Sequence, residues 1–274
     1  NGLLKPTFGR VPMHPSGRDA DYPGLCAWES VEHIGPITND VGDAQLALGL
    51  LEGFDARDWH SIHAPLLPEP VIPALRIASC LDVNGGPVAR DVRAAFQSRI
   101  DALDASGIRV EEVSLELPDL LATFGAFVAT DFDLPRLRAM EAERALLGDR
   151  FRRLLDNELP SDAVANAVTG RKRVNQIVRM LFDRFDVLIT PTTPTTAFGL
   201  GLDGPASIDG TPTADPPRAI VGFCCPFNLT GHPAISVPCG RDTEGLPIGI
   251  QVVARRFHDH AALAVANLFG RLDA

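Results

Sequence analysis

The sequence predicts an α/β fold on three observations. Two apolar runs near the end, Ala234–Val237 and Ile248–Val253, are fenced by glycine and proline, the pattern of buried strands bounded by turns. An apolar run at Arg76–Leu81, helical spacing through Val88, Val92, Phe96, Ile100 and Leu103, and alternation at Val113, Leu115 and Leu117 together make a strand–helix–strand unit, expected to be parallel and right-handed. Amphipathic stripes, the clearest at Val174, Ile177, Val178, Leu181, Phe182 and Phe185, give helices one apolar face for a sheet.

Taken in order, residues 1–36 are rich in Gly, Pro and charge and read as an extended segment with turns. Thr38 is the expected N-cap of a helix carrying Val41, Ala44, Ala47, Leu48 and Leu51, stopped by Gly53, with Asp40 and Asp43 suited to its positive end. Phe54–Pro65 holds two Asp and two His, but Gly53 and Pro65 frame a loop and no H-E-x-x-H pattern is present. Four prolines between 65 and 73 read as an extended linker. The strand–helix–strand unit follows, with Gly107 as the helix stop and Asn84-Gly-Gly86 as a turn rather than an anion loop. Residues 119–185 read as helical and charged, their basic face as solvated. Val187–Ile189 is a buried strand running into Thr190-Pro-Thr-Thr-Pro-Thr-Thr196, which places hydroxyls at a sheet's carboxyl edge, where α/β sheets bind ligands. Residues 199–218 read as a mobile Gly/Pro-rich loop shaping pocket access. Phe227–Gly231 is a compact turn before a strand bracketed by Pro233 and Pro238, either a join between core elements or the rim of a pocket. His258-Asp-His260 starts a closing helix through Val265, Leu268, Phe269 and Leu272.

Four segments carry a resemblance. "PFNLTGHPAISVPCG…GLPIGIQVVARRF", "GLLKPTFGRVP", "HIGPITNDVGDAQLAL" and "FDVLITPTTPTTAF" resemble, in family order, the signature runs of the amidase signature family of serine amide hydrolases. The resemblance implies a large mixed β-sheet sandwiched by helices. Residues 1–274 would then be the C-terminal portion of a single amidase domain, with 74–185 a peripheral α/β and helical lobe. It implies a structural cation at Arg10 and a structural Asp43. It also implies hydrolysis of a carboxylic amide by a Ser–cis-Ser–Lys triad. Both serines and the lysine are expected upstream of Asn1, so no catalytic residue is assigned in this chain, and the chain alone is expected to be inactive. Its expected part is the substrate-shaping wall, with Thr190, Pro191, Thr192, Phe227 and Asn228 as substrate-binding residues. Two alternatives stay open: the A subunit of a glutamine-dependent aminoacyl-tRNA amidotransferase, and a non-catalytic scaffold derived from an amidase.

Composition narrows the partners. A net charge of −10 argues against phosphate neutralisation and so against nucleic-acid binding. No apolar run approaches the roughly 20 residues of a membrane helix. The five cysteines are odd in number and lack C-x-x-C spacing, which fits a reducing, cytoplasmic setting. No metal or cofactor is assigned. A Cys225–His232 nucleophile pair is weighed against packing, and packing is preferred because Cys225 lies between Cys224 and Pro226. The expected partners are a small-molecule amide and the N-terminal half of the same protein, and a homodimer is allowed.

Overall fold

A computed structural model describes residues 2–13, 30–64, 70–131, 138–139, 145–148, 152, 155–156 and 160–271. Cys26, most of the proline-rich linker, part of the 119–185 helical region and Leu272 lie outside the described residues.

In chain order the elements are β1 (Gly2–Lys5), β2 (Ile37–Thr38), α1 (Val41–Leu51), β3 (Ile77–Ser79), α2 (Arg90–Ala105), β4 (Val110–Glu112), α3 (Leu120–Asp131), α4 (Ala163–Arg184), β5 (Val187–Pro191), β6 (Ser207–Ile208), β7 (Thr211–Pro212), α5 (Pro216–Val221), α6 (Cys225–Thr230), β8 (Ala234–Arg241), β9 (Pro247–Ala254) and α7 (Asp259–Arg271). Seven strands form one mixed sheet in the order β2-β1-β8-β9-β5-β3-β4. β1, β8, β9 and β5 alternate in direction, whereas β5, β3 and β4 run parallel. The parallel pair β3–β4 is joined through α2, as the apolar spacing implied. The strands of the 74–185 segment thus form one end of the common sheet. All five residues of β5 are buried, so both of its faces are covered, and its near-continuous apolar run follows from that. α7 packs on β8 and β9, α2 on β8 and β5, and α3, α4 and α6 pack together as a second helical group.

Several local expectations shift. The helix N-cap is Asp40, whose carboxylate accepts from the Asp43 N–H at 2.8 Å; Thr38 instead donates to the Asp40 carbonyl. Asp accepts from a free N–H at least as well as Thr and adds charge beside the helix dipole. The second strand of the unit is Val110–Glu112, not the alternating 113–117 run. Leu115 and Leu117 are buried, but only Leu115 bridges, to Val83. Alternation reported burial there, not a ladder. Phe227–Gly231 belongs to the short helix α6, not a compact turn. It closes with Gly231 at φ 72°, where an added Cβ would come within 2.9 Å of the Phe8 Cβ. β8 runs through Pro238 to Arg241 with a bulge between Pro238 and Gly240. On β8, β1 pairs with Ala234–Ser236 alone, so the edge beside the exposed Pro238 has no ladder partner to lose. The 199–218 loop contains the β6–β7 hairpin, seated by buried Ile208 and by Asp209, whose carboxylate accepts from the Arg90 N–H at 2.6 Å.

A buried polar knot holds these parts in register. Asp259, fully buried at the start of α7, accepts from the Thr7 N–H and the Thr7 hydroxyl, both at 2.7 Å. Arg10, 2% exposed, lies 3.0 Å from Asp259 Oδ2 as an ion pair and donates to Glu52 at 2.6 Å. Arg10 is the structural cation that the sequence implied. Removing Asp259 leaves buried Arg10 with Glu52 as its one remaining carboxylate and strips both Thr7 donors of their acceptor. Asp259→Ala is therefore expected to cost about 3–5 kcal/mol, whereas Asp183→Ala, which breaks an exposed i,i+4 pair with Arg179, should cost about 1 kcal/mol or less. Urea unfolding of both variants checks this, and equal losses would contradict it.

Candidate functional site

Strand β9 places one polar side chain, Gln251, in an otherwise apolar ladder, opposite Thr190 on β5 and Ser236 on β8. Gln251 is buried, and its amide donates to Thr190 Oγ1 and to the Phe223 carbonyl, each at 3.0 Å. Thr190 Oγ1 in turn donates to the Pro191 carbonyl at 2.8 Å. Thr192 N–H donates to the Gly249 carbonyl, and Thr192 Oγ1 lies 2.6 Å from Ser236 Oγ. An added Cβ at Gly249 would sit 2.8 Å from Thr192 Oγ1 and 3.0 Å from Ser236 Oγ, so glycine leaves these two hydroxyls room to meet. The Cys224 thiol reaches the Thr192 carbonyl at 3.4 Å. The loop after β5 is thereby tied to β8, β9 and the turn that enters α6.

Above this network opens a cleft of about 530 Å³. Its walls are the 83–87 turn, the start of α3, Pro194, the β6–β7 hairpin and Val221–Phe223. The lining is mainly apolar, with Val83, Pro118, Leu120, Leu121, Val221 and Phe223 prominent, while Asn84, Thr211, Thr213 and Asp215 supply polar groups. The Asn84 side chain is engaged, since its Oδ1 accepts from the Leu117 N–H. A concave apolar site with a few polar groups is the usual form of a small-molecule pocket.

The five residues expected to bind substrate fall into two groups. Thr190 and Pro191 are buried and Thr192 half-buried, at the foot of the cleft wall. Phe227 and Asn228 sit on α6: Phe227 is 1% exposed, and the Asn228 amide donates to the Val31 carbonyl at 3.0 Å. None of the five is among the residues lining the cleft. From the two loops expected beside them, Pro194, Ile208 and residues 211–215 are. Gln251 and the 221–223 segment escaped the sequence reading; a lone glutamine inside a buried apolar strand is the signal that points to a partner network.

The other reactive side chains are held in environments that quiet them. Burial pushes the Cys225 thiol up to about 12 and Cys224 up to about 11, away from thiolate character. His232 stacks on Phe182 at 4.8 Å, has Nδ1 2.8 Å from Thr230 Oγ1, and is lowered by burial to about 3. His60 packs edge-on against Phe8. Among the described residues, no three His, Cys, Asp or Glu side chains are grouped to hold a metal. Lys5, half-buried at the end of β1, donates to the carbonyls of Phe227, at 3.1 Å, and His232. Burial lowers it from 10.5 to about 7, with Asp259 opposing the shift.

Residues 2–263 match the protein-family model described as Amidase. Among curated proteins, the chain is 29% identical over 300 residues to the A subunit of Glutamyl-tRNA(Gln) amidotransferase from Koribacter versatilis (strain Ellin345), covering 96% of this chain and 58% of that protein. It is 30% identical over 301 residues to the protein of the same name from Geobacillus thermodenitrificans (strain NG80-2), covering 97% and 58%. Among solved structures, a bacterial aryl acylamidase of the amidase signature family superposes with a TM-score of 0.76 at 25% identity, covering 99% of this chain and 58% of that one. The A subunit of Glutamyl-tRNA(Gln) amidotransferase from Thermotoga maritima shares the fold, with a TM-score of 0.70 at 23% identity over 97% of this chain and 57% of that one. The chain thus spans about three fifths of the length of these relatives.

Two measurements check the site's construction. Gln251→Leu removes a donor from two buried acceptors and is expected to destabilise the protein by about 1–3 kcal/mol; unchanged thermal unfolding would contradict the network. For Lys5, both states carry the charge below about pH 7, so the desolvation penalty is then present in full. Between about pH 7 and 10.5 the unfolded chain holds the proton that the folded chain has released, and the group adds stability as pH rises. Relative to Lys5→Met, the wild type should gain stability between about pH 7 and pH 9 in urea unfolding, and parallel pH profiles would refute the assignment.

Proposed function

The chain belongs to the amidase family, and from that premise we propose that the full-length protein hydrolyses a carboxylic amide bearing a bulky apolar group, to an acid and ammonia or an amine. In this reading residues 1–274 form the substrate-shaping part. A serine outside this chain attacks the carbonyl, backbone N–H groups hold the oxyanion, and a lysine acting through a bridging serine takes the proton. The C–N bond then breaks, the amine leaves with that proton, and water hydrolyses the acyl ester to the acid and the free serine. The carrying observation is the apolar cleft at the carboxyl end of β5, held open by the Gln251–Thr190–Phe223 network. The inert settings of Cys224, Cys225 and His232 support a nucleophile from elsewhere. The exposed apolar band of Ile37, Leu46, Leu50, Phe54 and Trp59 supports further polypeptide packing against β2 and α1. The thiols of Cys80, Cys224 and Cys225 are free, which supports a reducing, cytoplasmic setting.

A second reading, the A subunit of a glutamine-dependent aminoacyl-tRNA amidotransferase, is favoured by the names of the curated relatives. A panel of amides separates the two. The full-length protein should turn over an anilide or a hexanoyl amide with kcat/KM at least about tenfold above glutamine, followed by ammonia or amine release. Preference for glutamine would favour the amidotransferase reading. Turnover of no amide would leave the scaffold reading, and turnover by residues 1–274 alone would overturn the division of labour.

A further inference from the structure

A second cleft, also about 530 Å³, lies at the opposite end of the sheet, between α4 and the turn after β9. It is opposite because β9 runs antiparallel to β5, so the end of β9 faces away from the 190–196 loop. One face of α4 contributes Lys172, Gln176, Arg179 and Asp183, and the turn contributes Arg255 and Arg256. Phe182 and His232, stacked ring on ring, form an aromatic floor.

Its charges do not balance. Arg179 is paired with Asp183 at 2.7 Å, and Arg255 with Asp186 at 3.0 Å. Lys172 and Arg256 have no carboxylate or hydrogen-bond partner among the described residues. The Arg256 guanidinium lies over the Phe257 ring at 5.1 Å and packs against Gly231, and its partial desolvation lowers its pKa. Lys5, which donates to the His232 carbonyl behind the floor, adds positive charge only when protonated, and Asp259, the carboxylate that favours that form, is already engaged by Arg10 and Thr7. This concentration of positive charge stands on a chain with a net charge of −10. Lys172 and Arg256 are both exposed at the cleft, so an anion that enters it meets two cations with no competing carboxylate on either. Asn175 and Gln176 add amide groups at the rim that can donate to oxygens.

We propose that this cleft binds a small carboxylate- or phosphate-bearing molecule, its anionic group held by Arg256 and Lys172 and its body against the Phe182–His232 floor. The site is separate from the amide cleft and does not depend on the function proposed above.

The test is calorimetric titration of the full-length protein with inorganic phosphate and, separately, citrate, at constant ionic strength in chloride. Saturable binding of one or both is expected. Arg256→Gln with Lys172→Met should weaken it at least tenfold, while Arg109→Gln, which removes an exposed cation between α2 and β4, should not. A binding-competent fold is checked in each variant by its unfolding transition, and the single variants replace the double one if it fails to fold. Phosphate alone binding identifies a phosphate site, and citrate alone a carboxylate site. No saturable heat with either anion overturns the proposal, as would happen if a carboxylate from the rest of the polypeptide already fills the cleft. Equal binding by wild type and the Arg256/Lys172 variants overturns it too.

Discussion

The arrangement depends first on the buried contact of Thr7 and Arg10 with Asp259. β1 is short, and its neighbour β8 pairs with only three of its residues. What fixes the chain just after β1 is the Asp259 carboxylate, which takes both polar hydrogens of Thr7 and faces the Arg10 guanidinium. Arg10 reaches on to Glu52 at the end of α1, so one cation locates β1, α1 and α7 together. The knot also holds Phe257 at φ 69°, a left-handed conformation that a bulky residue adopts only under constraint: Phe257 N–H donates to Thr7 Oγ1, and the Phe257 carbonyl accepts from Arg10. That turn is the one from which Arg255 and Arg256 project, so the knot also sets the second cleft.

At the other end of the sheet the constraint is a hydrogen-bond inventory. Burying Gln251 inside a sheet costs free energy unless its amide is satisfied, and its two acceptors lie on different elements, Thr190 on β5 and the Phe223 carbonyl before α6. The requirement to satisfy one side chain therefore positions two walls of the apolar cleft. The same physics separates shaping from chemistry. The thiols nearest the cleft are desolvated without a cation strong enough to hold a thiolate, so they pack rather than attack.

Local features were legible in the sequence where a residue's role is set by near neighbours. The spacing of Val92, Phe96, Ile100 and Leu103 gave α2, the run at 187–189 gave β5, and Gly107 adopts the positive φ of a helix stop. The resemblance carried by "GLLKPTFGRVP" implied a structural cation at Arg10, and the structure gives it Asp259 and Glu52 as carboxylate partners. What stayed hidden depends on register and tertiary pairing. Thr192 meets Ser236 only because β9 sits between β5 and β8 in one register, and no periodicity in either segment encodes that. Alternation at 113–117 reported buried side chains beyond the end of a strand. Pro238 looked like a stop because its tolerance comes from the short reach of β1. The β6–β7 hairpin was read as loop because two-residue strands carry too few side chains to show a period, although this hairpin closes one side of the cleft.

In the function proposed, this chain shapes an amide pocket while the nucleophile comes from elsewhere in the protein. A serine-directed fluorophosphonate, reacted with the full-length protein and located by peptide mass spectrometry, tests it most directly. The modified serine is expected outside Asn1–Ala274. Stoichiometric modification of a serine within the chain, Ser236 beside Thr192 above all, would contradict it.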